Sequence, residues 1–252
     1  MPKIRLISRL DVKDTNLVKG IQLEGLRKLG DPNQYARQYY EDGIDEVLYL
    51  DIVASLYNRN NLSAIVERTT RDVFVPITVA GGIRSLDDVH KVLQTGADKT
   101  AINTAAIKRP ELITEVAEAY GSQCMVLSIE AKRTPAGNYE CYYDNGREHS
   151  GYDVLEWAAR GEALGAGEIL LTSVDRDGLM KGMDIDLIRQ ICAEVRIPVI
   201  CSGGAGSVQD IADAANAGAS AVAVGSLFHY NKLTVRDLKR ELAGLGIEVR
   251  QC

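Results

Sequence analysis

Two stretches of this chain follow one pattern. Residues 198–226, PVICSGGAGSVQDIADAANAGASAVAVGS, repeat residues 76–104, PITVAGGIRSLDDVHKVLQTGADKTAINT, at a constant offset of 122. The offset places Gly81 on Gly203, Gly82 on Gly204, Ser85 on Ser207, Asp88 on Asp210, Gly96 on Gly218 and Ala97 on Ala219. A repeat of about half the chain is too long for a solenoid unit. It predicts a single domain over residues 1–252 built from two similar halves, about 1–120 and 121–252. A chain of 252 residues is also near the size of one α/β barrel.

Short runs rich in Val, Ile and Leu alternate with segments of helical period throughout. Eight strands are expected near residues 4–10, 46–51, 75–80, 98–103, 123–130, 167–172, 197–202 and 220–224. Helices are expected near 31–42, 58–71, 85–95, 110–120, 152–164, 184–194, 207–217 and 233–243. Pro32 and Pro110 suit first helical turns, Ser85 and Ser207 suit N-caps, and Gly43, Gly96, Gly165 and Gly218 suit helix ends. An open doubly wound sheet would also alternate in this way. Four βα units per half instead favour a closed (βα)8 TIM barrel with a twofold half-barrel repeat. Residues 12–30 read as a long loop after the first strand, and residues 132–146 as a small hairpin after the fifth. Loops that follow barrel strands lie on the face where active sites are built.

Composition narrows the partners. A net charge of −6 gives no electrostatic reason to expect nucleic acid or an anionic membrane. Five cysteines without CxxC spacing read as reduced thiols, with no disulfide and no structural metal. The charged start MPKIRLISRLDVKD does not read as a signal peptide, and no apolar run approaches the ~20 residues of a membrane helix. The expected location is cytoplasmic.

The repeat also supplies chemistry. Gly81-Gly82 and Gly203-Gly204 end the third and seventh strands, while Asn103-Thr104 and Gly225-Ser226 end the fourth and eighth. Glycines let backbone amides approach an oxyanion, and a following helix N-terminus adds donors. The plainer reading is a pair of tight turns. Duplication with amide or hydroxyl partners instead suggests two phosphate grips across one mouth, and so an elongated bisphosphate ligand. LISRLDVK at 6–13 likewise resembles VLSIEAK at 126–132, aligning Asp11 with Glu130. An acid ending a strand is ordinarily a cap or an ion-pair partner, but an opposed pair can serve as general acid and base. Lys19 could close over a phosphate or simply be a solvated loop charge. Asp51, Thr78, Thr172 and Asp177-Gly178 are expected at strand ends on the same face. At the opposite ends stand Arg5, Glu46, Lys99 and Glu168, where charge normally supports stability.

The motifs LDVKD, VKG, LRKLGDP, VAGGIRS, GADKTAINTAA, GSQCMVLSIEAK, GAGEILLTSVDRDG, SGGAGS and GSLFH together resemble the cyclase subunit of imidazole glycerol phosphate synthase, over essentially the whole chain. The resemblance implies a (βα)8 lyase of histidine biosynthesis. Such an enzyme uses ammonia from a separate glutaminase to convert a bisphosphate aminoimidazole ribonucleotide into imidazole glycerol phosphate and AICAR. It implies no cofactor and no metal.

By resemblance, Asp11 and Glu130 are catalytic. Lys19, Gly82, Asn103, Thr104, Asp177, Gly178, Gly203, Gly204, Gly225 and Ser226 bind substrate and its phosphates. Arg5, Glu46, Lys99 and Glu168 form an ammonia gate, and Asp98 lies at the partner interface. The three histidines, His90, His149 and His229, have no cysteine nucleophile motif beside them, in keeping with a glutaminase on another chain. Four positions depart from the family's usual residues: Arg9 replaces cysteine, Glu130 aspartate, Ala80 glycine and Leu179 threonine. Arg9, pointing inward, would pair with a carboxylate and make it a poorer acid. An alternative is a paralogue that passes ammonia to an enzyme amidating a nucleotide sugar in surface-polysaccharide synthesis. A sugar isomerase acting on the same bisphosphate is a third reading, which the charged gate and LDVKD argue against.

Overall fold

The computed structural model describes residues 3–54 and 62–250. Eight parallel strands close into a barrel in the order β1 (Arg5–Lys13), β4 (Glu46–Asp51), β5 (Ile77–Ala80), β6 (Lys99–Ile102), β7 (Met125–Arg133), β10 (Glu168–Ser173), β11 (Val199–Ser202) and β12 (Ala221–Val224). β12 pairs back onto β1, with Arg5 beside Ala221. β1 and β7 are therefore four strands apart by either route around the barrel.

The helices around it are α1 (Pro32–Glu41), α2 (Ser63–Thr69), α3 (Leu86–Gln94), α4 (Thr104–Lys108), α5 (Glu111–Tyr120), α6 (Val154–Ala163), α7 (Ile185–Glu194), α8 (Val208–Asn216), α9 (Ser226–His229) and α10 (Val235–Gly244). Their boundaries follow the expected signals. Ser85 accepts the Asp88 N–H and Ser207 the Asp210 N–H, both at 3.2 Å, and Asp210 completes a capping box by accepting from Ser207. Gly43, Gly96, Gly165 and Gly218 all adopt positive φ after their helices. Part of the helix expected near 58–71 lies outside the described residues, and so does Cys252.

The repeat is preserved in backbone angles. Ser85 and Ser207 stand at φ/ψ −147/165 and −145/166, and Asn103 and Gly225 at −115/−81 and −116/−81. α4 and α9 are symmetry mates too short to carry a helical period, which is why the sequence did not predict them.

Residues 12–30 are not a loop. β1 runs on to Lys13, and β2 (Asn16–Ile21) and β3 (Glu24–Gly30) fold against it as antiparallel strands. Buried Leu17 packs into the large apolar shell and buried Val18 against Ile52 and Val53, and Gln22 and Leu23 turn the hairpin at φ 52 and 63. The expected hairpin after the fifth barrel strand is present as β8 (Tyr139–Tyr143). A further strand, β9 (Glu148–Asp153), delays α6 to Val154. Each half thus carries an antiparallel extension on its first strand.

Inside the barrel, Ile7, Leu48, Ala80, Ala101, Val126, Leu170, Ile200, Ala221 and Ala223 form an apolar layer. A larger apolar shell, including Trp157, Leu112 and Leu242, fills the space between strands and helices. Burying each such side chain contributes roughly 1.5–3 kcal/mol. Alternation along β1 follows from the strand period: Ile7 joins the inner layer, while Leu6 and Leu10 face the helices.

Candidate active site

The two grips open at the C-terminal ends of the strands. Around the first, Gly81, Gly82, Asn103, Thr104, Lys108, Ser128, Glu130 and Asn145 line a cavity of about 810 Å³, open solvent at its mouth included. Around the second, Arg9, Lys19, Asp177, Gly178, Met180, Gly203, Gly204, Gly225 and Ser226 leave about 300 Å³. Gly81 and Gly203 need to be glycine for their turns alone: both have positive φ, and a Cβ would run into the carbonyl oxygens of Asp51 and Ser173. Two polar atoms speak more directly for a ligand. Asn103 Oδ1 in the first grip and Ser226 Oγ in the second are buried without a hydrogen-bond partner among the described residues. Thr104 Oγ1 accepts from the Asp144 N–H at 3.1 Å, and Asn103 Nδ2 donates to the Tyr142 carbonyl at 3.1 Å.

The carboxylates at the ends of β1 and β7 sit in opposite surroundings. Asp11 is buried with both oxygens engaged: Arg9 Nε donates to Oδ1 at 2.8 Å and Lys19 Nζ to Oδ2 at 3.0 Å. Burial alone would raise its pKa. The two cations outweigh burial and bring it to about 2, so Asp11 is an anion. Glu130 is also buried, and it makes no ion pair among the described residues. Desolvation dominates and raises its pKa to about 7, against a 2.7 Å hydrogen bond donated by the Gly146 N–H.

Lys19 is not a solvated loop charge. It is 3% exposed and donates to both oxygens of Asp177, at 3.1 and 3.0 Å, as well as to Asp11. The hairpin that carries it crosses the mouth: the Gln22 N–H donates to the Asp177 carbonyl, and Asn145 Nδ2 to the Leu23 carbonyl. Gly178, at φ 73, leaves room for the Gly20 carbonyl. Asp51 and Thr172 lie at strand ends as expected. Thr78 does not: it is the second residue of four-residue β5, two residues before the strand end at Ala80, and pairs with Lys99 at the start of β6.

At the bottom, four charges close a ring. Arg5 meets Glu46 at 2.6 Å and Glu168 at 2.9 Å, and Lys99 meets the same two acids at 3.3 and 2.9 Å. Asp98 is exposed on this side and accepts from the Ile77 N–H at 2.8 Å. Among the described residues, no group of three or more His, Cys, Asp or Glu side chains could hold a metal ion. Nor is any described helix long and apolar enough to cross a membrane.

Residues 5–234 match the family described as histidine biosynthesis protein. The chain is 59% identical to the imidazole glycerol phosphate synthase subunit HisF of Legionella pneumophila over 210 residues, 83% of this chain and 99% of that one. It is 46% identical to the HisF subunit of Thermobifida fusca and 45% to that of Corynebacterium diphtheriae, each over 98% of both chains. The chain belongs to the HisF family.

Within a HisF frame, sequence reasoning missed Gly146, Ser202 and the place of His229, and the contact of Thr172 with Arg9. Gly146 ends an Asp-Asn-Gly turn at φ 72 and presents its N–H to Glu130; the turn was legible, its target was not. Ser202 Oγ and Thr172 Oγ1 accept from Arg9 Nη1 at 3.0 and 3.3 Å. His229 breaks the twofold symmetry, standing where the other half has Ile107. Its Nε2–H donates to the Arg9 carbonyl at 2.9 Å, which leaves Nδ1 to accept from the Tyr39 hydroxyl at 2.8 Å. Burial holds His229 neutral, with its pKa lowered to about 4.

Proposed function

We propose that this chain is the cyclase subunit of imidazole glycerol phosphate synthase, a lyase of histidine biosynthesis. The observation that carries the reading is one mouth with two donor-lined grips flanking two carboxyls in opposite charge states. A bisphosphate spanning the grips lays its middle between Asp11 and Glu130. Ammonia attacks there, Asp11 accepts a proton and Glu130 supplies one, each starting in the form its task needs. Lys19 turns from its carboxylates to a phosphate.

Ammonia comes from a glutaminase partner docked on the bottom face near Asp98, in a cytoplasmic heterodimer. It passes the ring of Arg5, Glu46, Lys99 and Glu168. The apolar layer above favours neutral ammonia over ammonium, because an unpaired charge there is strongly penalised. The names of the relatives do not favour the alternative of a channel serving an amidating enzyme. One observation points that way: Arg9 and Lys19 fill the second grip, leaving about 300 Å³.

One experiment separates the two. Purified chain is given the bisphosphate aminoimidazole ribonucleotide with ammonium salt and no glutaminase. Turnover to imidazole glycerol phosphate and AICAR is expected. A well-folded chain that leaves the substrate intact overturns the reading.

A further inference from the structure

Arg9 is the least expected residue of the mouth. Its guanidinium is buried and spans the barrel from β1 to β10 and β11: Nε holds Asp11 Oδ1 at 2.8 Å, while Nη1 reaches Ser202 Oγ at 3.0 Å and Thr172 Oγ1 at 3.3 Å. Its backbone carbonyl is pinned in turn by His229. A planar fork fixed at both ends has little freedom to turn, unlike an ammonium on a flexible stem. Asp11 therefore has two unequal partners. Arg9 lies two residues away on the same strand and is anchored across the barrel. Lys19 comes from the separate hairpin β2–β3 and divides its ammonium between Asp11 and Asp177. In the proposed reaction Lys19 turns to a phosphate, which frees Oδ2 while Oδ1 keeps its bond to Arg9.

We propose that Arg9 is a positioning residue whose guanidinium, tied to Thr172 and Ser202, holds Oδ1 of Asp11 so that Asp11 acts only as a proton acceptor, through Oδ2. This rests on the reading of Asp11 and Glu130 as the acid and base pair. One proton passes from the reacting centre to Oδ2 and one from Glu130 to it, so the summed charge of the two carboxyls is unchanged. On β7 the position equivalent to Arg9 is Ser128, at an offset of 119, which cannot hold Glu130 ionised. The charged or titratable groups around Asp11 are Arg9 on β1, Lys19 on β2, Asp177 after β10, Glu130 on β7, His229 on α9 and Asp51, which pairs with Val12 from β4.

The test follows the Asp11 carboxyl by 13C NMR against pH, assigned by the signal lost in Asp11→Asn. Arg9→Met should move its titration upward by about one pH unit or more, the effect of losing an adjacent opposite charge. The acidic limb of ammonium-supported turnover should move with it. Arg9→Lys should restore part of the shift. Ser202→Ala keeps the guanidinium but removes one of its ties, and should give a smaller shift of the same sign. An Asp11 titration that stays put in both Arg9→Met and Ser202→Ala overturns the proposal. Absence of turnover by the wild type overturns the proposed function and the proton-acceptor role, while the hold of Arg9 on Asp11 still stands or falls on the titration.

Discussion

The two half-barrels share a backbone and differ in charge. Asn103 and Gly225 agree within a degree in φ and ψ, and so do the caps Ser85 and Ser207 to within two degrees, yet the carboxylates that the same symmetry pairs behave oppositely. Asp11 has Arg9 and Lys19 and stays ionised; Glu130 has Ser128 two residues before it, accepts one backbone N–H, and binds its proton up to about pH 7. The repeat gives both sites one geometry, and a few side chains then set their carboxyls in opposite charge states. Nothing in the fold itself separates acid from base.

The strongest way to break this comparison is to remove one carboxyl at a time. Asp11→Asn and Glu130→Gln should each lower ammonium-supported turnover by about 10²–10⁴-fold, the usual range for a general acid or base. Initial rates at saturating substrate measure both. A large loss in only one variant would leave the other carboxyl a bystander and end the division of labour.

A second comparison tests the shared backbone. Gly81→Ala and Gly203→Ala meet the same obstacle, positive φ with a carbonyl oxygen in the way, and should destabilise by similar amounts. Strain of this kind costs of order 1–3 kcal/mol. In a chain of this size that lowers the melting temperature by roughly 2–12 °C. Calorimetry of the two variants side by side checks it, and clearly unequal losses would mean that the halves are less alike than their angles.

The smallest effect sharpens the charge contrast. Glu130 binds its proton more tightly folded than unfolded, with a pKa of about 7 against an ordinary 4.5. Its stabilising contribution is therefore full below about pH 4.5 and lost as pH rises through 7. Asp11 has the opposite sign: its contribution is present above 3.8 and lost as pH falls through about 2. Between pH 5 and 8 the melting temperature of the wild type relative to Glu130→Gln should fall by several degrees, on the order of 2–4 °C per kcal/mol. The same difference taken against Asp11→Asn should stay flat. Using differences between variants cancels His229, which also titrates on the acid side.

Much of this was legible because the repeat spans strands, turns and caps together. The eight barrel strands, the serine caps and the hairpin after β7 follow from local pattern. Residues 12–30 misled because their buried positions, Leu17 and Val18, are embedded among lysines, glycines and arginines, so no strand period stands out. Lys19 was beyond reach for a different reason. Its burial depends on Asp11 and Asp177, 158 residues from Lys19 in the latter case, meeting at one point of the mouth. Arg9 was half legible: its place two residues before Asp11 on an alternating strand sets its side of the sheet, but its partners Thr172 and Ser202 come from strands far along the chain.

One carboxyl of the pair is protonated and the other ionised in the same folded protein. Infrared difference spectroscopy near pH 5.5, where both ordinary carboxyls are ionised, reads this directly through the C=O stretch of a protonated acid. The wild type should show a protonated-carboxyl band that disappears in Glu130→Gln and persists in Asp11→Asn. A band lost in Asp11→Asn, or no such band in the wild type, would contradict it.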